Sequence, residues 1–241
     1  VLPVSATAPV PTPSVQDVVA ALDTARMTAH IVQLAGAIGP RHAGTAAERA
    51  GADYLAAQLA ASGYTVSRRT VPLPTGGVTC NVLAELPGTS ARTLLICAHL
   101  DSRGVSPGAN DNASGVAVVL ELARVLRHTR PAYTLLFVGC GAEERLGRRG
   151  PHHLGSRALA ADAALRARLA GAISLDMVGY GTILHIDNQG WAADTWRDRA
   201  ARIAADLQLP VATGRSKPVS DHEAFERLGI PAAYLHWGRD P

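Results

Sequence analysis

The apolar run Leu94 to Ala98 ends in His99-Leu100-Asp101. After a loop rich in Gly, Pro and Ser come Gly108-Ala109-Asn110-Asp111-Asn112-Ala113-Ser114-Gly115 and then the apolar VAVVLELARVL. This reads as strand, loop and helix. The strand is apolar without alternation, the mark of a parallel strand covered on both faces. Open α/β sheets bind ligands outside the carboxyl ends of their strands. Here the strand end carries an imidazole and a carboxylate, and the helix start carries another carboxylate. Those are donors for a hard cation.

The same pattern recurs along the chain. YTLLFVGCG, GAISLDMV, TILHID, PVATG and IPAAYLHW read as strands. Helical spacing marks SGVAVVLELARVLRHT, HLGSRALAADAALRARLA, AADTWRDRAARIAADLQL (stopped by Pro210) and the short SDHEAFERLG. Nearer the start, one helix is predicted from Ser14, its cap, to Gly39-Pro40. Thr45-Ala46-Ala47-Glu48 resembles a capping box before a second helix that ends at Gly63. TVSRRTVPL and CNVLAEL flank the Gly76-Gly77 turn and suggest an antiparallel pair at a sheet edge. The predicted fold is α/β: a single domain with a mostly parallel twisted central sheet, antiparallel edge strands and helices on both faces.

With 241 residues, 47% of them hydrophobic and 18% charged, the chain can bury a sizeable core and is not a disordered segment. The net charge is +3, the arginines are scattered and Lys217 is the sole lysine, so no nucleic-acid surface is expected. No apolar run is long enough to span a membrane. Of the three cysteines, Cys97 and Cys140 lie in strand-like runs and are read as buried free thiols; an odd count gives no disulfide framework. Residues 1–13, rich in Pro, Ala, Ser and Thr, read as a disordered linker of the kind found behind a processed export signal. A secreted or extracytoplasmic, monomeric protein is expected.

The strand ends collect chemistry. His99 and Asp101 follow the first parallel strand, Asp111 opens the next helix, Glu143 and Glu144 follow LLFVGCGA, and Asp176 follows AISL. One imidazole and five carboxylates then share one sheet edge. Carboxylates crowded together repel and protonate unless cations neutralise them. Such a set suits two divalent metals sharing a bridging carboxylate.

His99-x-Asp101, Gly108-Ala109-x-Asp111-Asn112-x-Ser114-Gly115, Ala142-Glu143-Glu144, Leu175-Asp176-Met177-Val178-Gly179 and Ser220-Asp221-His222 resemble, in order and spacing, the motifs of the bacterial leucyl aminopeptidase / aminopeptidase Y family of two-zinc exopeptidases. The likeness extends to Gly44-Thr45, Ala52-Asp53-Tyr54-Leu55, Asn81-Val82 and Leu86-Pro87-Gly88, and so covers most of the chain. The resemblance implies a zinc peptidase domain over 14–241 and a peptide substrate with a free N-terminus. It implies that His99 and Asp176 bind one zinc, Asp111 bridges to a second, Glu144 binds that second ion, and Glu143 is the general base. Asp101 would accept the other ring N–H of His99. The bond Asp111–Asn112 would be a cis peptide.

One family feature is missing. A histidine ligand in a Tyr-His motif is expected after the last strand, where this chain ends Leu235-His236-Trp237-Gly238-Arg239-Asp240-Pro241. The chain is therefore read as truncated at its C-terminal end, with one zinc held tightly and little activity, and with His222 and His236 as possible stand-ins. Within the same fold the competing readings are a one-zinc, glutaminyl-cyclase-like acyltransferase and a non-catalytic binding domain. His152-His153 is read as surface, Trp191 and Trp196 as helix packing, and Arg215 and Lys217 as a solvated loop.

Overall fold

The computed structural model describes residues 13–217 and 219–238. The linker expected over 1–13 lies outside them, Pro13 excepted. Eight strands form one sheet: β1 Val66–Pro72, β2 Val78–Leu86, β3 Ser90–His99, β4 Tyr133–Cys140, β5 Leu169–Leu175, β6 Ile183–Asn188, β7 Val211–Arg215 and β8 Ala232–Gly238. Their order is β1-β2-β4-β3-β5-β8-β6-β7. The central β4, β3, β5 and β8 run parallel, while β1/β2, β2/β4 and β6/β8 are antiparallel pairs. The helices are α1 Val15–Ala21, α2 Thr24–Ile31, α3 Ala46–Ala61, α4 Gly115–Leu126, α5 Leu154–Ala161, α6 Ala163–Arg168, α7 Thr195–Asp206 and α8 His222–Glu226.

The unalternating β3 sequence is explained by a core on each face. Leu94, Ile96 and Ala98 pack with Leu55, Val116, Leu120 and Trp196 on one side; Leu95 and Cys97 pack with Leu159, Leu165 and Phe225 on the other. The α4 crossover leads from β3 to β4 on one side of β3. α5 and α6 then lead from β4 back past β3 to β5 on its other side. The strand order thus reverses around β3, and the crevice that ligands use in open α/β sheets opens there.

The single N-terminal helix predicted from Ser14 is three pieces. Ser14 and Asp17 do form a capping box. The helix then breaks at Leu22-Asp23, because the Asp23 side chain caps α2 by accepting from Ala25 N and Arg26 N, while its own N–H donates to buried Glu121 Oε1 at 2.7 Å. Aspartate favours caps over helix interiors for this reason. After α2 the chain continues as a π-helical segment, Val32–Ile38, closed by Gly39 at φ 82°.

Gly108 begins the irregular turn Ala109–Ser114 in the left-handed region, φ 67°. A Cβ there would meet the Asp111 carbonyl at 2.5 Å and Ser102 Cβ at 2.6 Å. Gly76 is also left-handed, φ 91°, but has open space around it. Gly108→Ala should therefore cost about 2–4 kcal/mol, backbone and overpacking together, and Gly76→Ala about 1 kcal/mol. Urea unfolding of both variants checks this; equal losses would contradict it.

Candidate metal centre

Register brings the sequence-predicted residues level. Cys97 pairs with Ser174 across β3/β5 and His99 with Cys140 across β3/β4. Two residues on, His99 therefore stands beside Asp176, and Glu143 emerges three residues past Cys140. His99 is fully buried. Its Nε2 lies 3.0 Å from Asp111 Oδ1, 3.4 Å from Asp176 Oδ1 and 3.9 Å from Glu143 Oε2. Its Nδ1 lies 3.1 Å from the Asp101 carbonyl oxygen. A carbonyl only accepts, so Nδ1 carries a proton and Nε2 faces the carboxylates.

Each carboxylate is tethered from behind. Asp176 accepts the Ser220 hydroxyl on Oδ2 at 2.7 Å, and its buried Oδ1 has no hydrogen-bond partner. Asp101 accepts the backbone N–H groups of Glu143 on Oδ1 at 3.0 Å and of Glu144 on Oδ2 at 2.9 Å. It is 3.4 Å from His99 Nδ1, so it braces the turn after β4 more closely than it orients the ring. The peptide Asp111–Asn112 is cis, matching the expectation. Asn112 Nδ2 donates to Leu175 O at 2.9 Å and its Oδ1 accepts Gly115 N, locking the turn to the end of β5.

Sequence reasoning missed three residues that build this site. Buried Arg41 donates to the carbonyls of Leu34, Gly39, Leu100, Pro107 and Gly108 and so holds the loop between Asp101 and Asp111. Glu48 is only half of the expected capping box: Thr45 caps α3. The Glu48 carboxylate instead accepts from Gly44 N, Thr79 Oγ1 and Ala142 N, at 2.6, 2.6 and 3.1 Å. Third, His153 is buried, not surface. Its Nε2 is 2.9 Å from Glu143 Oε1 and its Nδ1 is 2.5 Å from Glu223 Oε2. His152 stacks edge-on against it at 4.0 Å. The misreading has a physical source: residues 141–153 are irregular, with no periodicity to show which side chains turn inward.

Other expectations land elsewhere. Neither possible stand-in joins the cluster: His222 Nε2 bonds Ser216, and His236 lies against His185 and Asp187. Arg215 is occupied by Asp194. Trp196 packs with its Nε1 on Ala170 O, whereas Trp191 is half exposed beneath Arg227.

His99, Asp111 and Asp176 each offer a donor atom within 4.8 Å of the others. Three further groups gather such donors among the described residues: His152, His153 and Glu223; His185, Asp187 and His236; and Cys97, Cys140 and Asp221. The last two do not compete physically. The His185 and His236 rings are stacked, 12° from parallel and 4.9 Å apart, so one ion cannot lie in both ring planes. Cys97, Cys140 and Asp221 are wholly enclosed in the core. An open cavity of about 300 Å³ reaches the His99 group and is bordered by Glu144, Met177 and Tyr234.

Electrostatics point to a missing positive charge. Burial disfavours a charged His99, yet the Asp176 and Glu143 charges and the Asp101 and Asp111 contacts win and raise its pKa well above the ordinary value. Burial pushes Glu143 up. Burial and the Asp111 charge push Glu144 up to about 7. The cluster thus holds protons where a divalent cation would replace them.

The sheet order, with helices on both faces and carboxylates ringing one imidazole at the parallel strand ends, defines an α/β protein with a candidate metal site. The model of peptidase family M28 matches residues 81–240, and the chain belongs to that family. Leupeptin-inactivating enzyme 1 of Streptomyces exfoliatus is 32% identical over 247 residues, 98% of this chain and 53% of that protein. Aminopeptidase YwaD of Bacillus subtilis is 36% identical over 156 residues, 61% of this chain and 32% of that protein. The chain thus spans about half the length of the first and a third of the second. A zinc aminopeptidase from Bacillus subtilis superposes with a TM-score of 0.82 at 19% identity, over 90% of this chain and 85% of that one. A Porphyromonas gingivalis glutaminyl cyclase does so at 0.77 and 27%, over 89% and 83%.

The site sets a pH dependence. In the metal-free protein Glu143 and Glu144 have folded pKa values above their unfolded value near 4.5, so they favour folding below it and lose that contribution as pH rises toward 7 and beyond. His153, raised to about 9 against burial by Glu143 and Glu223, acts in the same direction between 6.5 and 9. His152 and His222, lowered to about 4 and about 3 chiefly by burial, act oppositely between pH 5 and 6.5. The melting temperature of chelator-treated protein should therefore fall by several degrees from pH 6.5 to pH 8, and added divalent metal should raise it more at pH 8. A larger metal-induced rise at pH 6.5 would contradict this.

Proposed function

We propose that this domain is the catalytic unit of a zinc-dependent aminopeptidase. One observation carries the reading. His99 Nε2 and the unpartnered Asp176 Oδ1 converge with Asp111, and one oxygen of Glu143 faces the same point. A neutral imidazole with carboxylates is a fitting donor set for zinc. His99, Asp111 and Asp176 would hold the ion, and Glu144 with Asp111 would serve a second one. Zinc held there supplies Lewis acidity, acidifying water and polarising a scissile carbonyl.

The chain's own groups do the rest. Glu143 Oε2 takes a proton from water and returns it to the leaving amine. Asp101 holds the Glu143–Glu144 turn. The acidic rim of Asp111 and Glu144 offers a place for a protonated substrate N-terminus, which favours exopeptidase action. The Pro- and Ala-rich composition of residues 1–13 supports an extracytoplasmic location, and the scattered charge supports the absence of a nucleic-acid partner.

A glutaminyl-cyclase-like reaction is the second reading. The likeness to a bacterial glutaminyl cyclase and the single complete ligand set favour it; the intact Asp111-Asn112-Ala113-Ser114-Gly115 stretch favours the peptidase. The protein should hydrolyse leucine-, arginine- or phenylalanine-p-nitroanilide, lose this activity to chelator and regain it with zinc. Glu143→Gln should lower kcat on the order of 10²–10⁴-fold with zinc content unchanged. Cyclisation of N-terminal glutaminyl peptides without p-nitroanilide hydrolysis would establish the second reading.

Asp111 and Glu144 are few donors for a second tight site, so the domain should retain one zinc per molecule after desalting. Two retained zincs would contradict this.

A further inference from the structure

The Glu143 carboxylate is held by an arrangement outside the cation cluster. Residues 153–155 lie as a strap along residues 141–143: His153 N donates to Glu143 O at 2.8 Å, Leu154 N to Ala142 O at 2.8 Å and Gly155 N to Gly141 O at 3.0 Å. Asn81 clamps this strap by donating to Gly155 O at 2.9 Å and accepting Gly141 N at 3.1 Å. At the strap's first residue His153 adopts φ 55°, in the left-handed region that non-glycine residues rarely occupy. That turn sends its imidazole inward, where the side chain is 3% exposed.

The ring stands between two carboxylates. Nε2 faces Glu143 Oε1 at 2.9 Å and Nδ1 faces Glu223 Oε2 at 2.5 Å. Glu223 is fully buried and is fixed in turn by Arg227 Nε and by Arg157 Nη2 at 3.3 Å. The two oxygens of Glu143 are thereby made different. Oε1 is tied to His153, while Oε2 lies 3.9 Å from His99 Nε2, on the side of the cation cluster.

We propose that His153, backed by Glu223, is the positioning residue of Glu143: it fixes Oε1 and so reserves Oε2 as the oxygen presented to the His99, Asp111 and Asp176 group. This rests on the reading of Glu143 as general base. A carboxylate free to rotate would spend much of its time misaligned, and misplacement by about 1 Å can cost on the order of 10²-fold in rate. The Arg227, Arg157, Glu223 and His153 chain supplies the support that a single hydrogen bond to a mobile histidine would not.

The test uses the zinc-loaded protein and leucine-p-nitroanilide. His153→Ala should lower kcat by about 10–100-fold with KM changed less than about twofold and zinc content retained, measured at a temperature where the variant stays folded. His153→Gln, whose amide can donate to Oε1, should recover most of the loss. A kcat for His153→Ala within about twofold of the parent overturns the proposal. So does a loss that Gln does not recover and that follows a fall in melting temperature. A second measurement is independent of turnover: proton NMR should show a slowly exchanging, downfield imidazole N–H signal for His153 that Glu143→Gln shifts. Fast exchange of that signal overturns the proposal even if the protein proves to have no peptidase activity, whereas inactivity with the signal present removes the aminopeptidase reading alone.

Discussion

Mutual repulsion among the carboxylates around His99 is the constraint that the rest of the structure answers. Asp111, Asp176 and Glu143 approach one buried imidazole from three separate segments of chain. In a poorly solvated pocket like charges at this spacing favour protonation or separation. Side-chain contacts from Ser220, His153 and His99 meet these carboxylates. The backbone turns that carry them are held, and each turn has its own brace: Arg41 for the loop before Asp111, Asn112 for the junction with β5, Asp101 and Glu48 for the turn after β4.

The braces share a design. One oxygen of a carboxylate is tied and the other is left toward the cluster. Ser220 ties Asp176, and His153 ties Glu143. The backbone around these groups is itself unusual. Of the four non-glycine residues with positive φ among the described residues, Ala142 and His153 flank Glu143 and Met177 follows Asp176. Such conformations cost of order 1–3 kcal/mol each and persist where the surroundings over-determine them, which is typical of functional sites.

His99, Glu143, Glu144 and Asp176 could be read from the sequence because each lies at or just past the end of an unbroken apolar strand, and in a parallel sheet those strand ends share an edge; Asp111 could be read from its place at the turn into the helix after β3. β3 illustrates this: Leu94 to Ala98 predicts a strand buried on both faces, and alternate residues do enter two different cores. The braces could not be read in this way. Glu48 reaches Ala142 across 94 positions and Arg41 reaches Gly108 across 67. Only the closed fold brings them together. His153 was hidden by an irregular segment, and the break at Asp23 by an apolar spacing that continued through it. In both places a side chain competing for backbone or carboxylate partners outweighed periodicity.

The central claim is that a cation replaces the protons this cluster holds. Crystals of the protein grown with zinc and measured at the zinc absorption edge test it most directly. The account predicts the strongest anomalous peak among His99 Nε2, Asp111 and Asp176 Oδ1, with Glu143 outside bonding distance and Ser220 still on Asp176 Oδ2. A dominant peak at His185, Asp187 and His236, or none near His99, would contradict it.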